Sequence, residues 1–295
     1  MCMGKDSTDV LDSVIDAGIQ TLDTARVYGE SEKVIGKWME LRKNRNDLVI
    51  LSKGGHPTFF GKKRISKKEI CADLEQSLRY LKTDYIDIYL LHRDDPAVDA
   101  GEITEILNEL HKEGKIGAFG GSNWTVERIK EANAYAAAHD LIPFEVSSPN
   151  FGLAEQVRDP WDGTCVTITG DAAREDRKWY AETKMPVVAY SSLGRGLFSG
   201  KFTSADVSHI KDYLDRAAMQ GYTSEENYER LRRCETLAKE KNCLVPQLAL
   251  AWMYHQPLNV FTIISSTKTT RMKSNLEALN ISLTEEECKY LNLED

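Results

Sequence analysis

The chain has 295 residues, ordinary apolar content and a net charge of −8, which suits one large α/β barrel or two ordinary domains around a sizeable core. The acidic balance, with no basic run longer than the solvated-loop pattern KKRISKK at 62–68, argues against nucleic acid as a main partner. No signal-peptide pattern and no membrane-length apolar stretch is present, and the six cysteines show neither CxxC pairing nor metal spacing, so a cytoplasmic chain with reduced thiols and no metal is expected.

The elements alternate from the start. A helix is expected at about 7–17, ended by Gly18, before a short apolar strand at 19–22. Asp23 stands where that strand stops, and Tyr28 follows a few loop residues later. Ser31 can cap a helix over 31–42, with Val34, Ile35, Trp38 and Met39 at helical spacing. A carboxylate at the end of a buried parallel strand is costly unless a cation accompanies it. Strand 48–52 supplies one, with Lys53 at its C-terminal end. Helix 66–81 then leads to strand 85–91, which ends at His92. Three successive strands therefore end in Asp, Lys and His, with a Tyr one loop away. In a barrel of alternating strands and helices such strand ends converge on the face where active sites form.

The rhythm continues. Helix 101–113 precedes strand 116–119, helix 125–138 precedes strand 143–147, and helix 171–184 precedes strand 186–190. Helices near 224–241 and 246–255 precede strand 260–264, and helix 269–278 closes the chain. Strands alternating with helices indicate a parallel sheet with right-handed crossovers. Two long loops, 151–170 and 195–224, suit a substrate-facing rim, with Trp161, Phe151 and Phe198 as candidate lining. Trp38, Trp252 and Tyr254 read as core, Trp124 as a possible pocket border, and His56, His111, His139, His209 and His255 carry no partner pattern. No linker composition appears, so residues 1–295 read as one domain.

At the DTARVYG, ILSKG and YLLH segments the chain resembles the aldo-keto reductase family. The likeness continues through GKIGAFGGSNW, PVVAYSSLGRGLFSGK and SSTKTTRMKSNLEAL, covering nearly the whole sequence. It implies a (β/α)8 TIM barrel and a catalytic tetrad of Asp23, Tyr28, Lys53 and His92. Seven strands can be counted where a closed barrel needs eight. Family members carry an N-terminal hairpin and a full first strand, of which only Met1 to Gly4 could remain here, so the first strand is expected to be truncated.

The four residue types suit carbonyl reduction. A tyrosine hydroxyl, with an ordinary pKa of about 10, is a poor acid near neutrality. A nearby ammonium favours the phenolate and lowers that value. Lys53, held by Asp23, can do this, and His92 can share a hydrogen bond with the carbonyl oxygen and orient it. Singly, an Asp at a strand end reads as a helix cap, a Lys as solvated and a His as structural. Only the ordered set carries the assignment.

No GxGxxG follows a strand, so a Rossmann route to a nucleotide is absent. The resemblance implies a different one. Ser122 and Asn123 would hydrogen-bond a nicotinamide carboxamide, with Ser148 where most relatives place a longer Gln. Tyr190 would stack on the nicotinamide ring. The loop Ser191, Leu193, Gly194 and Arg195 offers a hydroxyl, flexible backbone and a cation for a pyrophosphate. At the end of the chain Ser266, Thr267, Lys268, Arg271 and Asn275 open a helix suited to a ribose 2′-phosphate, which favours NADP (NADPH), with NAD still possible. Relatives with stronger phosphate sites have Lys where Ser265 stands, and Lys268 can substitute. The implied activity is reduction of a small aldehyde or ketone. The alternative is a nucleotide-binding regulatory barrel with little turnover.

Overall fold

A computed structural model describes residues 8–161, 163–266 and 268–294. These fall into two compact units, one holding the described residues up to Ser147 with 268–269, the other Ser148 to Ser266 with the residues from Thr270 on. Met1 to Gly4, on which the expected remnant of a first strand falls, lie outside the described residues.

The first unit runs α1 (Thr8–Asp16), β1 (Thr21–Asp23), α2 (Ser31–Arg42), β2 (Val49–Gly54), α3 (Lys67–Leu81), β3 (Ile86–Leu91), α4 (Ala100–Lys112), β4 (Ile116–Ser122) and α5 (Val126–Ala138). β5 (Val146–Ser148) passes out of this unit into the next. β1 to β4 pair in parallel in chain order. β2 and β3 are apolar runs covered on both faces, with Ile50, Leu51, Tyr89, Leu90 and Leu91 buried, the pattern that parallel sheets under helices require. The helices are cut to length by local chemistry. Asp99 caps α4 by accepting from the Gly101 and Glu102 amides, and Thr125 caps α5 through the Arg128 amide. Gly36 lets α2 lie against α3, because a β-carbon there would meet the Tyr80 carbonyl oxygen at 2.1 Å. Ser31 is the first residue of α2 rather than its cap. Its buried hydroxyl accepts a hydrogen bond from Thr24 at 3.0 Å, which ties the helix start to the end of β1.

The second unit contains α6 (Arg174–Thr183), β6 (Val187–Ala189), α7 (Arg216–Tyr222), α8 (Glu225–Glu240), α9 (Val245–Tyr254), β7 (Val260–Thr262), α10 (Thr269–Leu276, whose first residue groups with the first unit) and α11 (Glu285–Asn292). β6 and β7 pair in parallel. Two elements depart from the sequence expectation. The stretch 195–224 is not a plain loop, since it folds into 3₁₀ turns at Gly194–Gly196 and Ser204–Asp212 and then α7, which Asp215 caps. The chain also closes on α11 rather than on the helix at 269–278. A reciprocal cap starts α11: the Thr284 hydroxyl accepts from the Glu287 amide, and the Glu287 carboxylate accepts from the Thr284 amide.

Strand limits move by two or three residues, and the register explains it. The Val49 amide donates to Gln20, so β1 pairs from Thr21 onward instead of at 19–22. β2 runs on to Gly54, which places Lys53 inside the strand, and β4 extends to Ser122. Phe151 and Phe198, expected as loop lining, are fully buried core side chains. Trp38 and Trp252 are core as expected. None of the five described cysteines forms a disulfide, and among the described residues no helix is long and apolar enough to cross a membrane.

Candidate active site

Asp23, Tyr28, Lys53 and His92 all lie in the first unit, at the C-terminal ends of β1, β2 and β3. The register brings them there. Asp23 lies opposite Leu51, and Lys53 lies opposite Leu90, two residues before His92. Beyond β1 the backbone keeps following β2, with the Thr24 amide donating to Leu51 at 2.8 Å and the Arg26 amide to Lys53 at 2.9 Å. The Tyr28 amide then donates to Ala25 at 3.0 Å, closing a turn that returns the tyrosine toward the strand ends. Gly29, at φ +60°, takes the left-handed conformation needed to enter α2 immediately afterwards.

Lys53 is the hub. Its side chain is 3% exposed, its ammonium pairs with the Asp23 carboxylate, and it also donates to the Thr24 carbonyl at 3.0 Å. The same nitrogen lies 5.4 Å from the centre of the Tyr28 ring. A positive charge is therefore held beside the phenol by a carboxylate that compensates its burial. Behind it, Ser52 donates at 2.7 Å to the buried Glu32, whose carboxyl is pushed up by burial.

His92 packs edge-on against Tyr28, with ring centres 5.6 Å apart at 80°. Burial pushes its pKa well below the ordinary value, and the charges of Lys53 and Arg93 push in the same direction. The ring is thus a neutral imidazole at physiological pH. Its Nδ1 is buried and finds no hydrogen-bond partner among the described residues. A neutral ring can donate from one nitrogen without handing over a full proton, which suits orienting a carbonyl oxygen.

Two further residues adjoin this group, and the sequence did not single them out for it. His56, two residues past β2, sets its ring edge-on to His92 with centres 4.9 Å apart at 78°. Arg93 donates from Nη1 to the His92 carbonyl at 2.9 Å. The hint available was position alone, since each directly follows a strand that ends in a tetrad residue.

Ser122 ends β4, and Asn123 follows it at φ +58°, its amide donating to the Ser122 hydroxyl at 3.0 Å and to the His92 carbonyl at 3.4 Å. Both are buried. Trp124 is fully buried against Phe144, so it is core and not a pocket border.

In the second unit, Ser148 donates to the Val188 carbonyl at 2.7 Å, which ties its hydroxyl to β6. Tyr190 follows β6 and meets Trp161 edge-on at 6.4 Å. The loop beyond it has left-handed backbone at Ser191, Gly194 and Arg195, with Leu193 between them. That conformation turns successive amides sharply, as anion-binding loops require, although the Gly194 and Gly196 amides are used within the turn. Arg195 pairs with Asp215 at 2.7 Å and lies over the Trp161 ring. Asn275 is buried on α10, one turn from the exposed Arg271, while Ser266 is half-buried and Lys268 exposed. Thr267 lies outside the described residues.

Parallel strands alternating with helices, with charged residues grouped at strand ends, define an α/β-barrel enzyme. The model of the aldo/keto reductase family matches residues 4–293. The norsolorinic acid reductase of Aspergillus flavus is 28% identical over 99% of this chain and 72% of its own length. An aldo-keto reductase of Strobilurus tenacellus is 30% identical over 94% of this chain and 77% of its own. A putative voltage-gated potassium channel subunit beta of Schizosaccharomyces pombe is 28% identical over 90% and 76%. The chain belongs to the aldo/keto reductase family and is an NAD(P)H-dependent carbonyl-reducing enzyme with the family's barrel fold.

Proposed function

We propose that this enzyme reduces an aldehyde or ketone to the alcohol with NADPH, using Tyr28 as proton donor. The observation that carries the reading is the buried Lys53 ammonium, held by Asp23 and lying beside the Tyr28 ring. It favours the phenolate left after proton transfer. The neutral His92 holds the carbonyl oxygen toward the Tyr28 hydroxyl.

The nicotinamide, when bound, supplies the hydride. Ser122 and Asn123 would hold its carboxamide and Tyr190 would lie against its ring, while Ser148 is too short to replace a glutamine contact. Ser191, Leu193, Gly194 and Arg195 would hold the pyrophosphate, for which Arg195 would have to leave Asp215. Ser266, Lys268, Arg271 and Asn275, with Thr267, take the adenosine end. The buried side chains of Ser122 and Asn123 and the left-handed residues Ser191, Gly194 and Arg195 fit these roles. Residues 1–295 act as a single cytoplasmic barrel domain on a small molecule.

Tyr28→Phe removes only the hydroxyl. It should keep cofactor binding, read by fluorescence titration, and lose reduction of an aldehyde panel by at least a hundredfold, in the range that general acids contribute. Turnover near the parent's rate would remove Tyr28 from the mechanism. The channel-subunit relative keeps the regulatory reading in view. Cofactor binding by the unaltered enzyme with no turnover on any aldehyde would favour it.

A further inference from the structure

The segment after β3 carries a cation that the tetrad does not use. Arg93 follows His92 directly, and its one hydrogen bond among the described residues runs from Nη1 to the His92 carbonyl. The carboxylates that follow Arg93, and the one that accepts from the Gly55 amide, each have another cationic partner, although the buried Asp94 Oδ1 finds no hydrogen-bond partner among the described residues. Asp94 pairs with Arg128 at 3.1 Å, Asp95 with Lys63 at 2.9 Å, and Asp73 with Arg64. Among the described residues none is within ion-pair distance of Arg93. A half-buried guanidinium with donors to spare, adjacent in the chain to His92, has the geometry to bind a carboxylate.

His56 shapes the same corner. Gly55, at φ +69°, turns the chain after β2 so that the His56 ring meets His92. Its Nδ1 lies 2.9 Å from the Pro57 carbonyl. A carbonyl only accepts, so Nδ1 carries a proton. Burial lowers the His56 pKa, helped by the Arg93 charge and opposed by the Pro57 hydrogen bond and the Asp73 charge. The anion-binding task then falls to Arg93, with His56 as a wall.

We propose that Arg93, flanked by His56, is the carboxylate anchor of the substrate site, so that the preferred substrates are carbonyl compounds bearing a carboxylate. This rests on the reading of His92 as the carbonyl-orienting residue. The guanidinium stays charged at any working pH, and its planar fork matches two carboxylate oxygens.

The test uses the purified enzyme with NADPH and three matched pairs, 2-, 3- and 4-formylbenzoate and the corresponding formylbenzamides. Each pair keeps shape and ring while removing the charge. At least one benzoate should be preferred over its amide by tenfold or more in kcat/KM, the range a charge-assisted hydrogen bond supplies. Arg93→Gln should lower kcat/KM for that benzoate at least tenfold more than for its amide. Arg93→Lys, which keeps the charge and loses the fork, should give an intermediate ratio, and it carries the test should Arg93→Gln fail to fold. No preference for any benzoate, or parallel losses on acid and amide, would overturn the carboxylate assignment while leaving the carbonyl-reducing reading intact. No turnover of any aldehyde would instead overturn the reading of the His92 site, and the anchor with it.

Discussion

Lys53 is 3% exposed to solvent, and its buried ammonium is compensated by the Asp23 carboxylate it pairs with. The pair has a consequence for its neighbour. Burial comes first in holding His92 neutral, and the Lys53 ammonium lies close enough to oppose a second positive charge there. The folded protein therefore holds His92 neutral in a pH range where the unfolded chain protonates it. Because the folded pKa is depressed below the ordinary 6.5, the unfolded state binds more protons as the medium is acidified, and stability falls with pH. That contribution is full above about pH 7 and is lost as pH drops through 6.5 toward the folded pKa. Between pH 6.5 and 5.5 one such histidine removes about 1 kcal/mol of stability. His56 adds to the same slope in the same direction, so the measurement must isolate His92. Urea unfolding of the parent and of His92→Gln at several pH values should show the variant losing about 1 kcal/mol less across this interval. Parallel slopes would mean that His92 is not held neutral.

Helix ends follow the same rule that buried or exposed groups need partners, and α11 shows it at its smallest. Only eight residues long, α11 begins in an acidic run and buries Leu291 as its main apolar anchor. Its docking is completed by a hydrogen bond of 3.1 Å from the Trp252 indole to the Cys288 carbonyl. So short a helix depends on its cap, because the first turn leaves amides without helical partners. Thr284→Ala should cost about 1 kcal/mol of global stability by urea unfolding, whereas Thr284→Ser should stay close to the parent. A cost below a few tenths for the Ala variant would mean that α11 frays independently of the rest. The Thr284-x-x-Glu287 spacing is a capping signal in the sequence, but the run Glu285–Glu287 gives no helical apolar stripe, and the helix was not expected. α7 escaped for a related reason, since seven residues with Gly221 inside them carry little helix signal. The longer helices and the order of the strands were legible, because α2 to α5 repeat apolar positions at helical spacing and β2 and β3 are unbroken apolar runs. The positions of Asp23, Lys53 and His92 were legible because each stands at or just past the end of a strand, with Tyr28 one loop beyond the first. The contact of His56 with His92 was not, because it depends on the turn at Gly55 and on register between strands.

At the scale of the whole molecule, charge works against the cofactor. The chain carries −8, and NADPH is itself strongly anionic, so long-range attraction cannot favour its capture. Affinity must come from cations placed at the phosphates. Around the start of α10, Lys268 and Arg271 are exposed, and Gln247 fastens the helix by donating to the Ser274 carbonyl at 2.9 Å. The two nucleotides differ only in the 2′-phosphate that NADPH carries, and under the proposed function these two cations would meet it. Each charge-assisted hydrogen bond contributes about 1.5–3 kcal/mol, so replacing both residues with Ala should weaken NADPH by more than tenfold relative to NADH. The contacts are exposed, so salt should screen them, and raising ionic strength should weaken NADPH more than NADH in the parent and equally in the double variant. Fluorescence titration of both nucleotides at low and high salt reads all four affinities. Equal losses for the two nucleotides on substitution would show that Lys268 and Arg271 do not meet the 2′-phosphate, and would return the cofactor preference to NAD and NADP alike.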